Sequence, residues 1–515
     1  MPMDYRTYKE FRENFRLSER WGVFDGDRHN FNIAHECIDR HPGEKTAIRI
    51  KFDDGRREAY CFRELSSLTS RFANMLERRG VKAGEPVAIV LNPSLEFYVS
   101  FFGILKRGAV VVPCSPLFGP EAIEYRVDKA DAKMVVVHQE STSLIKNSLV
   151  PHLVIAEELP ELLQNEDEHY TTNTSADTIA FLQFSSGTTG VPKAVPYGHK
   201  AATLAAVHVK FGIGLRPDDS YYCPSSPAWG MGIWYATVGP LIYGKAIGTY
   251  SGKFDVVRIL EALEEFEVTN LFAAPLVYRR IMESGKLDNY KLKLRRMTYT
   301  GGKLEMDVIE YFQERLGMTI QSCYGSTEVG VILADYDFDD WKVKPGSLGM
   351  PLPGRRVAVI DDDANEVPQG EAGQVAIEAE KGWIRMGDAA YVDEDGYFWY
   401  KGRIDDIIKS AGYTIGPIEI ESVLEKHPAV REAAVVGSPD KDRGEVVKAF
   451  IVPRGKPTEE LKREIREFVK TRLSKHEYPR EIEFVSELPR TPDGKVKRKE
   501  LRAREYEKLN RLKEK

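Results

Sequence analysis

Hydrophobic positions in this chain come in short continuous runs separated by longer amphipathic stretches. Val87-Ala88-Ile89-Val90-Leu91, Ala109-Val110-Val111-Val112-Pro113 and Met134-Val135-Val136-Val137 are apolar over strand length. Such runs read as strands buried on both faces. Between the first two, Phe97–Leu105 has helical spacing and closes on Arg107-Gly108, and an earlier helix pattern begins at residues 60–66 and runs through Leu76. Thr178-Ile179-Ala180-Phe181-Leu182 predicts a further strand, preceded by a polar loop over 162–176. Strands alternating with helices imply βαβ units and parallel sheets. After residue 345 turn residues thicken (Pro345-Gly346, Pro351-Leu352-Pro353-Gly354, Asp361-Asp362-Asp363), with short strands over Arg356–Ile360, Gln374–Glu378 and Tyr397–Tyr400. A new α/β pattern starts beyond Gly402-Arg403-Ile404-Asp405-Asp406. The fold class predicted is α/β: a large N-terminal domain of mixed and parallel sheets flanked by helices, a small β subdomain, then a small α+β C-terminal domain. The expected boundaries are 1–403, a hinge at 404–406, and 407–515.

Composition narrows the function classes. A chain of 515 residues exceeds one ordinary core and should divide into at least two domains. With 73 basic and 79 acidic residues the net charge is −6, which gives no overall electrostatic case for nucleic acid. The charged fraction of 30% is above the usual quarter and leans toward a thermophilic source. Five cysteines (Cys37, Cys61, Cys114, Cys223, Cys323) form no C-x-x-C pair and have no His partner at metal spacing. Neither a disulfide framework nor structural zinc is expected. No apolar run approaches the ~20 residues of a membrane span, and the polar start Met1-Pro2-Met3-Asp4 lacks a signal-peptide core. A cytoplasmic protein is expected.

The densest chemistry is Phe184-Ser185-Ser186-Gly187-Thr188-Thr189-Gly190-Val191-Pro192-Lys193-Ala194. Gly187 and Gly190 let backbone N–H groups turn toward an anion, the hydroxyls add donors, and Lys193 adds a mobile cation. Its spacing is not that of the Walker loop. In Tyr324-Gly325-Ser326-Thr327-Glu328, an aromatic followed by glycine can lay a ring against a purine, while Thr and Glu can reach phosphate and Mg²⁺. Lys495, in Leu488-Pro489-Arg490-Thr491-Pro492-Asp493-Gly494-Lys495, is a cation on a Pro/Gly-rich loop. A cation on such a loop can neutralise anions brought close together.

In order along the chain, these motifs resemble the signatures of the adenylate-forming superfamily: acyl-CoA synthetases, luciferases and peptide-synthetase adenylation domains. The likeness spans roughly residues 30–505. It implies that Ser185, Ser186, Gly187, Thr188, Thr189, Gly190 and Lys193 bind ATP phosphates, and that Gly301 and Gly302 flank the adenine. Tyr324, Gly325 and Ser326 would line the base, Thr327 would meet the α-phosphate, and Glu328 would ligate Mg²⁺. Asp388 and Arg403 resemble the ribose pair, Asp405 the hinge of a mobile lid, and Lys495 the catalytic lysine. The implied catalytic set is Lys495, Thr327, Glu328 and Lys193. Ala411, Gly412 and Tyr413 lie in a loop similar to the one lining the pantetheine tunnel. The chain departs from the pattern at Thr414, where many acyl-CoA synthetases carry Arg, at Ala194, and at Lys303.

Glu419-Ile420-Glu421, Arg443–Phe450 and Tyr478-Pro479-Arg480 are most similar to medium-chain-type AMP-forming acyl-CoA synthetases. The resemblance therefore implies an AMP-forming carboxylate–CoA ligase with ATP, Mg²⁺ and coenzyme A. It would act on a small organic acid, with medium- or short-chain fatty acids foremost. An aryl-acid CoA ligase, a carrier-protein-loading enzyme and a catalytically dead interaction protein remain as alternatives. The acid pocket is placed at Trp229, Gly230, Trp234 and Gly330, where two tryptophans stand among small residues. Oligomeric state is open, with a homodimer among the options.

Overall fold

The computed structural model describes residues 3–145, 152–185, 192–326, 329–410, 413–440, 443–473, 477–490 and 496–513. The chain divides into two compact units. Met1–Gly301, Tyr311–Lys342 and Leu352–Gly354 form the first, and Gly302–Glu310, Val343–Pro351 and Arg355–Lys515 the second. The expected hinge at 404–406 lies within the second unit.

In the first unit a six-stranded sheet runs, edge to edge, through His152–Ile155, Met134–Val137, Pro86–Val90, Val110–Cys114, Ile179–Ser185 and Lys193–Gly198. All neighbours are parallel except the last pair, an antiparallel hairpin. The apolar runs form these central strands because both faces are covered, and Val87, Ile89, Val111, Val135 and Val136 are fully buried. Each such side chain stabilises by ~1.5–3 kcal/mol. Helix Leu95–Lys106 is capped by Ser94, whose side chain accepts from the Phe97 amide, and the chain leaves it through Gly108 at φ 72°. The strand expected to end at Leu182 continues through Ser185. Its last three residues are held by the partner strand rather than by apolar burial alone, so hydropathy underestimates it. A second sheet orders Gly330–Ala334, Gln321–Ser326, Arg296–Tyr299, Asn270–Ala273, Tyr221–Tyr222, Ile247–Ser251, Thr46–Phe52 and Arg57–Cys61.

The second unit holds the expected small β subdomain, an antiparallel sheet of Val357–Ile360, Gly373–Ala379, Gly382–Val392 and Phe398–Arg403. The turn Ile404–Asp406 then leads to a sheet ordered Tyr413–Ile415, Ile408–Ser410, Gly444–Pro453 and Val430–Asp440, with Glu481–Phe484 parallel to Gly444–Pro453. Helices Pro417–Leu424 and Glu459–Lys470 cover one face through Ile420, Leu424, Ile465 and Val469. The terminal helix Arg498–Lys513 seats Leu501 against Ala434, Val436, Phe450 and Leu488.

Candidate active site

Two strand pairs of the first unit flank the stretches expected to bind nucleotide. In one, Ser185 pairs with Lys193 across the ladder, so the loop between them starts and ends at one point. Tyr125 fixes the far side by donating its hydroxyl to the Pro192 carbonyl at 2.9 Å. Lys193 is exposed. The tip itself, with Ser186, Gly187, Thr188, Thr189 and Gly190, lies outside the described residues. In the other hairpin Tyr324 pairs with Leu333, Gly325 with Val331 and Ser326 with Gly330, with a bulge between Tyr324 and Gly325. Both glycines are required sterically. A Cβ on Gly325 would sit 1.9 Å from the Gly330 carbonyl oxygen; Gly330 has φ 73°, and a Cβ there would lie 2.8 Å from His208 Cε1. Thr327 and Glu328, at this tip, lie outside the described residues. Gly301 has φ 89°, and no described atom lies within 4 Å of where its Cβ would stand. A flat base could lie against such a backbone. Gly302 opens the portion of chain assigned to the second unit.

The segment proposed for the acid begins in a turn, Trp229 donating its amide to the Ser226 carbonyl at 3.2 Å, and enters a π-type helix over Met231–Val238. Gly232 is forced, because a Cβ would meet the Ser226 carbonyl oxygen at 2.0 Å. The two tryptophans differ in setting. Trp234 is 8% exposed and packs edge-on to Phe181 at 5.2 Å and Tyr197 at 5.4 Å. Trp229 is 38% exposed and meets Phe118 edge-on at 5.4 Å. A Cβ on Gly230 would lie 3.0 Å from the Gln183 amide nitrogen. Gln183 is buried, and its Oε1 has no hydrogen-bond partner among the described residues. It escaped the sequence reading, although a glutamine inside an apolar strand was the available signal. His208, buried and 3.2 Å from the Tyr235 hydroxyl, was likewise missed.

In the second unit Asp388 and Arg403 face each other in register on adjacent strands. Arg403 Nη1 lies 3.0 Å from Asp388 Oδ1, which also receives the Tyr400 hydroxyl at 3.4 Å. Gly387, at φ 73°, leaves room for the guanidinium, whose Nη2 would be 3.0 Å from a Cβ there. The carboxylate is nearly buried while the arginine side chain is 47% exposed. Burial raises the Tyr400 phenol, and the neighbouring Asp388 carboxylate raises it further. A phenol so held stays a neutral donor. Asp405 is exposed in its turn. The hairpin Ile408–Ser410/Tyr413–Ile415 pairs Ser410 with Tyr413; its tip residues Ala411 and Gly412 lie outside the described residues, as does Lys495. The lysine loop is anchored on both sides by the Arg490–Val496 bridge. Lys303 donates to Ser422 Oγ on helix Pro417–Leu424 at 2.5 Å.

Residues 34–381 match the family described as AMP-binding enzyme, and residues 419–495 match its C-terminal domain. The chain belongs to the AMP-binding enzyme family. It is 34% identical to an uncharacterized acyl–CoA ligase, YtcI, of Bacillus subtilis, covering 90% of this chain and 94% of that one. It is 31% identical to the mitochondrial acyl-coenzyme A synthetase ACSM3 of Rattus norvegicus, covering 98% and 94%. The crystal structure of the anthranilate CoA ligase AuaEII with anthranoyl-AMP superposes with a TM-score of 0.85 at 29% identity, covering 95% and 99%. The chain is an AMP-forming carboxylate–CoA ligase, and its small-molecule ligands are ATP, a carboxylic acid and coenzyme A, with Mg²⁺. Among the described residues no group of three His, Cys, Asp or Glu side chains could hold a metal ion, and Glu328 lies outside them. No helix among the described residues is long and apolar enough to cross a membrane.

Proposed function

We propose that this AMP-binding enzyme activates a short- or medium-chain carboxylic acid in two half-reactions. In the first, the acid's carboxylate attacks the α-phosphorus of ATP, forming acyl-adenylate and releasing pyrophosphate. In the second, the thiol of coenzyme A attacks the acyl carbon and AMP leaves. The observation that carries the reading is the Asp388–Arg403 pair. A nearly buried carboxylate, held by an arginine in register, is oriented to accept two ribose hydroxyls before nucleotide arrives, so little ordering remains to be done on binding. Lys193 and the hairpin hydroxyls would receive the β- and γ-phosphates. Thr327 would meet the α-phosphate, and Mg²⁺ at Glu328 would neutralise charge on the transferring group. Lys495 would supply the cation between the two approaching anions in the first step only. Rotation about Asp405 would then withdraw it and bring up Ala411, Gly412 and Tyr413 for the pantetheine arm. The domain boundary at 403/404 belongs to this reading.

The acid pocket would be formed by Trp229, Gly230, Trp234 and Gly330 of the same unit, with the partly exposed Trp229 offering an apolar face to a small acid. The protein would work in the cytoplasm, and a homodimer is one arrangement open to it. The test is acid-dependent pyrophosphate release across a panel from acetate to dodecanoate plus benzoate, followed by CoA-dependent AMP release. An optimum among the aliphatic acids is expected. Benzoate outrunning every aliphatic acid would replace the reading with an aryl ligase, and adenylation without CoA-dependent AMP release would replace it with carrier loading.

A further inference from the structure

Directly after the exposed Asp405, Asp406 turns inward to a buried ionic cluster. Its Oδ1 lies 3.2 Å from Arg502 Nη1 and its Oδ2 3.8 Å from Arg498 Nη1. Arg498 also grips Glu421 with both forks, Nε to Oε1 at 3.0 Å and Nη2 to Oε2 at 2.6 Å. Glu421 Oε1 accepts the Val435 amide at 2.8 Å. The Asp406 side chain is 13% exposed and that of Glu421 6%, with the two arginines below a fifth. Two cations and two carboxylates thus balance in a place that water barely reaches. The charges of Asp406 and Arg498 act on the Tyr400 phenol, and that of Arg403 on Asp406.

The chain positions of these groups give the cluster its meaning. Asp406 follows the proposed pivot. Arg498 opens the terminal helix, three residues after Lys495, and Arg502 lies one turn further on. Glu421 is on the first helix after the hinge. A buried bidentate pair with further hydrogen bonds tolerates little geometric slack, and removing one partner leaves an uncompensated charge. We propose that Asp406, Arg498, Arg502 and Glu421 form a rigid coupling that fixes the base of the Lys495 loop to the hinge turn, so that they act as positioning residues for the catalytic lysine. The proposal rests on the functional reading above for the role of Lys495. Without the coupling, rotation at Asp405 would not deliver Lys495 to a defined place, and misplacement by about 1 Å can cost ~10²-fold in rate.

The experiment measures both half-reactions in the full-length enzyme: acyl-adenylate formation by pyrophosphate release, and thioester formation from supplied acyl-adenylate plus CoA. Asp406→Asn keeps shape and removes charge; Arg502→Lys keeps charge and loses the fork. Asp406→Asn should slow adenylation ~10–100-fold and leave thioester formation within about threefold, with Arg502→Lys giving a milder defect of the same one-sided kind. In a Lys495→Ala background Asp406→Asn should add nothing to the adenylation defect, since both changes act through one ammonium group. Equal loss in both half-reactions, no loss in either, or full additivity with Lys495→Ala would overturn the coupling and mark the cluster as support for the fold alone. Lys495→Ala with undiminished adenylation would instead overturn the functional reading, and the coupling with it. Thioester formation by Asp406→Asn serves as the folding check within the same sample.

Discussion

Replacing Asp388 by Asn tests the ribose pair with the least disturbance, because the side chain keeps its volume and one carbonyl acceptor. The carboxylate is nearly buried and accepts from Arg403 at 3.0 Å and from Tyr400 at 3.4 Å. Hydrogen bonds to a charged acceptor are worth ~1.5–3 kcal/mol against ~0.5–1.5 for neutral ones. Losing about 1 kcal/mol on each of two ribose hydroxyls gives ~2 kcal/mol, or ~30-fold. The ribose lies away from the reacting atoms, so the loss should be uniform between ground and transition states and appear in KM for ATP with kcat nearly unchanged. Arg403 is 47% exposed and keeps its contact with the Met386 carbonyl at 3.4 Å, so stability should move by less than ~1 kcal/mol. Steady-state pyrophosphate release at varied ATP supplies KM and kcat, and thermal melting supplies the stability check. 2′-Deoxy-ATP completes a cycle: it should weaken wild type strongly and Asp388→Asn much less. A KM for ATP within about twofold of wild type, or equal 2′-deoxy penalties in both proteins, would refute the assignment.

Three further outcomes are expected. Asp405→Pro, which holds φ near −65°, should retain acyl-adenylate formation and lose CoA-dependent AMP release by ~10-fold or more; near wild-type overall ligation would show that Asp405 is not the pivot. Burial pushes Glu425 up to about 7, helped by Glu421, Glu305 and Asp307 and opposed by Lys303. Its folded state therefore holds a proton that the unfolded chain releases above about 4.5, and stability should fall as pH rises from there through about 7, by up to ~3 kcal/mol; Glu425→Gln should flatten that dependence and raise the urea midpoint at pH 8, and an unchanged slope would refute it. Trp229→Ala should move the acid optimum toward bulkier acids with KM for ATP unaltered, and Trp234→Ala, which empties space beside Phe181 and Tyr197, should cost ~3–5 kcal/mol of stability as well.

What the sequence made legible, and what it hid, follows from the range of the interactions concerned. The buried strands were readable because Val87–Leu91 and Met134–Val137 announce themselves by local composition, whereas the steric need for glycine at 325 and 330 was not, because it arises from a hairpin pairing that the motif does not reveal. Ladder pairing gave Ile179–Ser185 three residues that hydropathy could not foresee, since their hydrogen bonds go to a strand beyond an intervening loop. Asp388 and Arg403 were legible as a pair only through the motif, whereas their register is a property of the sheet. The ionic cluster around Asp406 was the least legible feature. Arg498 and Arg502 sit in a run that also contains Lys497 and Lys499, and such a run reads as a solvated helix face. Four charges drawn from a turn and two helices far apart in the chain meet only after the sheet has formed, and no local pattern distinguishes an arginine turned inward from its neighbours turned out. On the proposed function the motif residues would supply the chemistry, and its delivery would depend on buried groups of this second kind, which carry no signature and must be found by geometry.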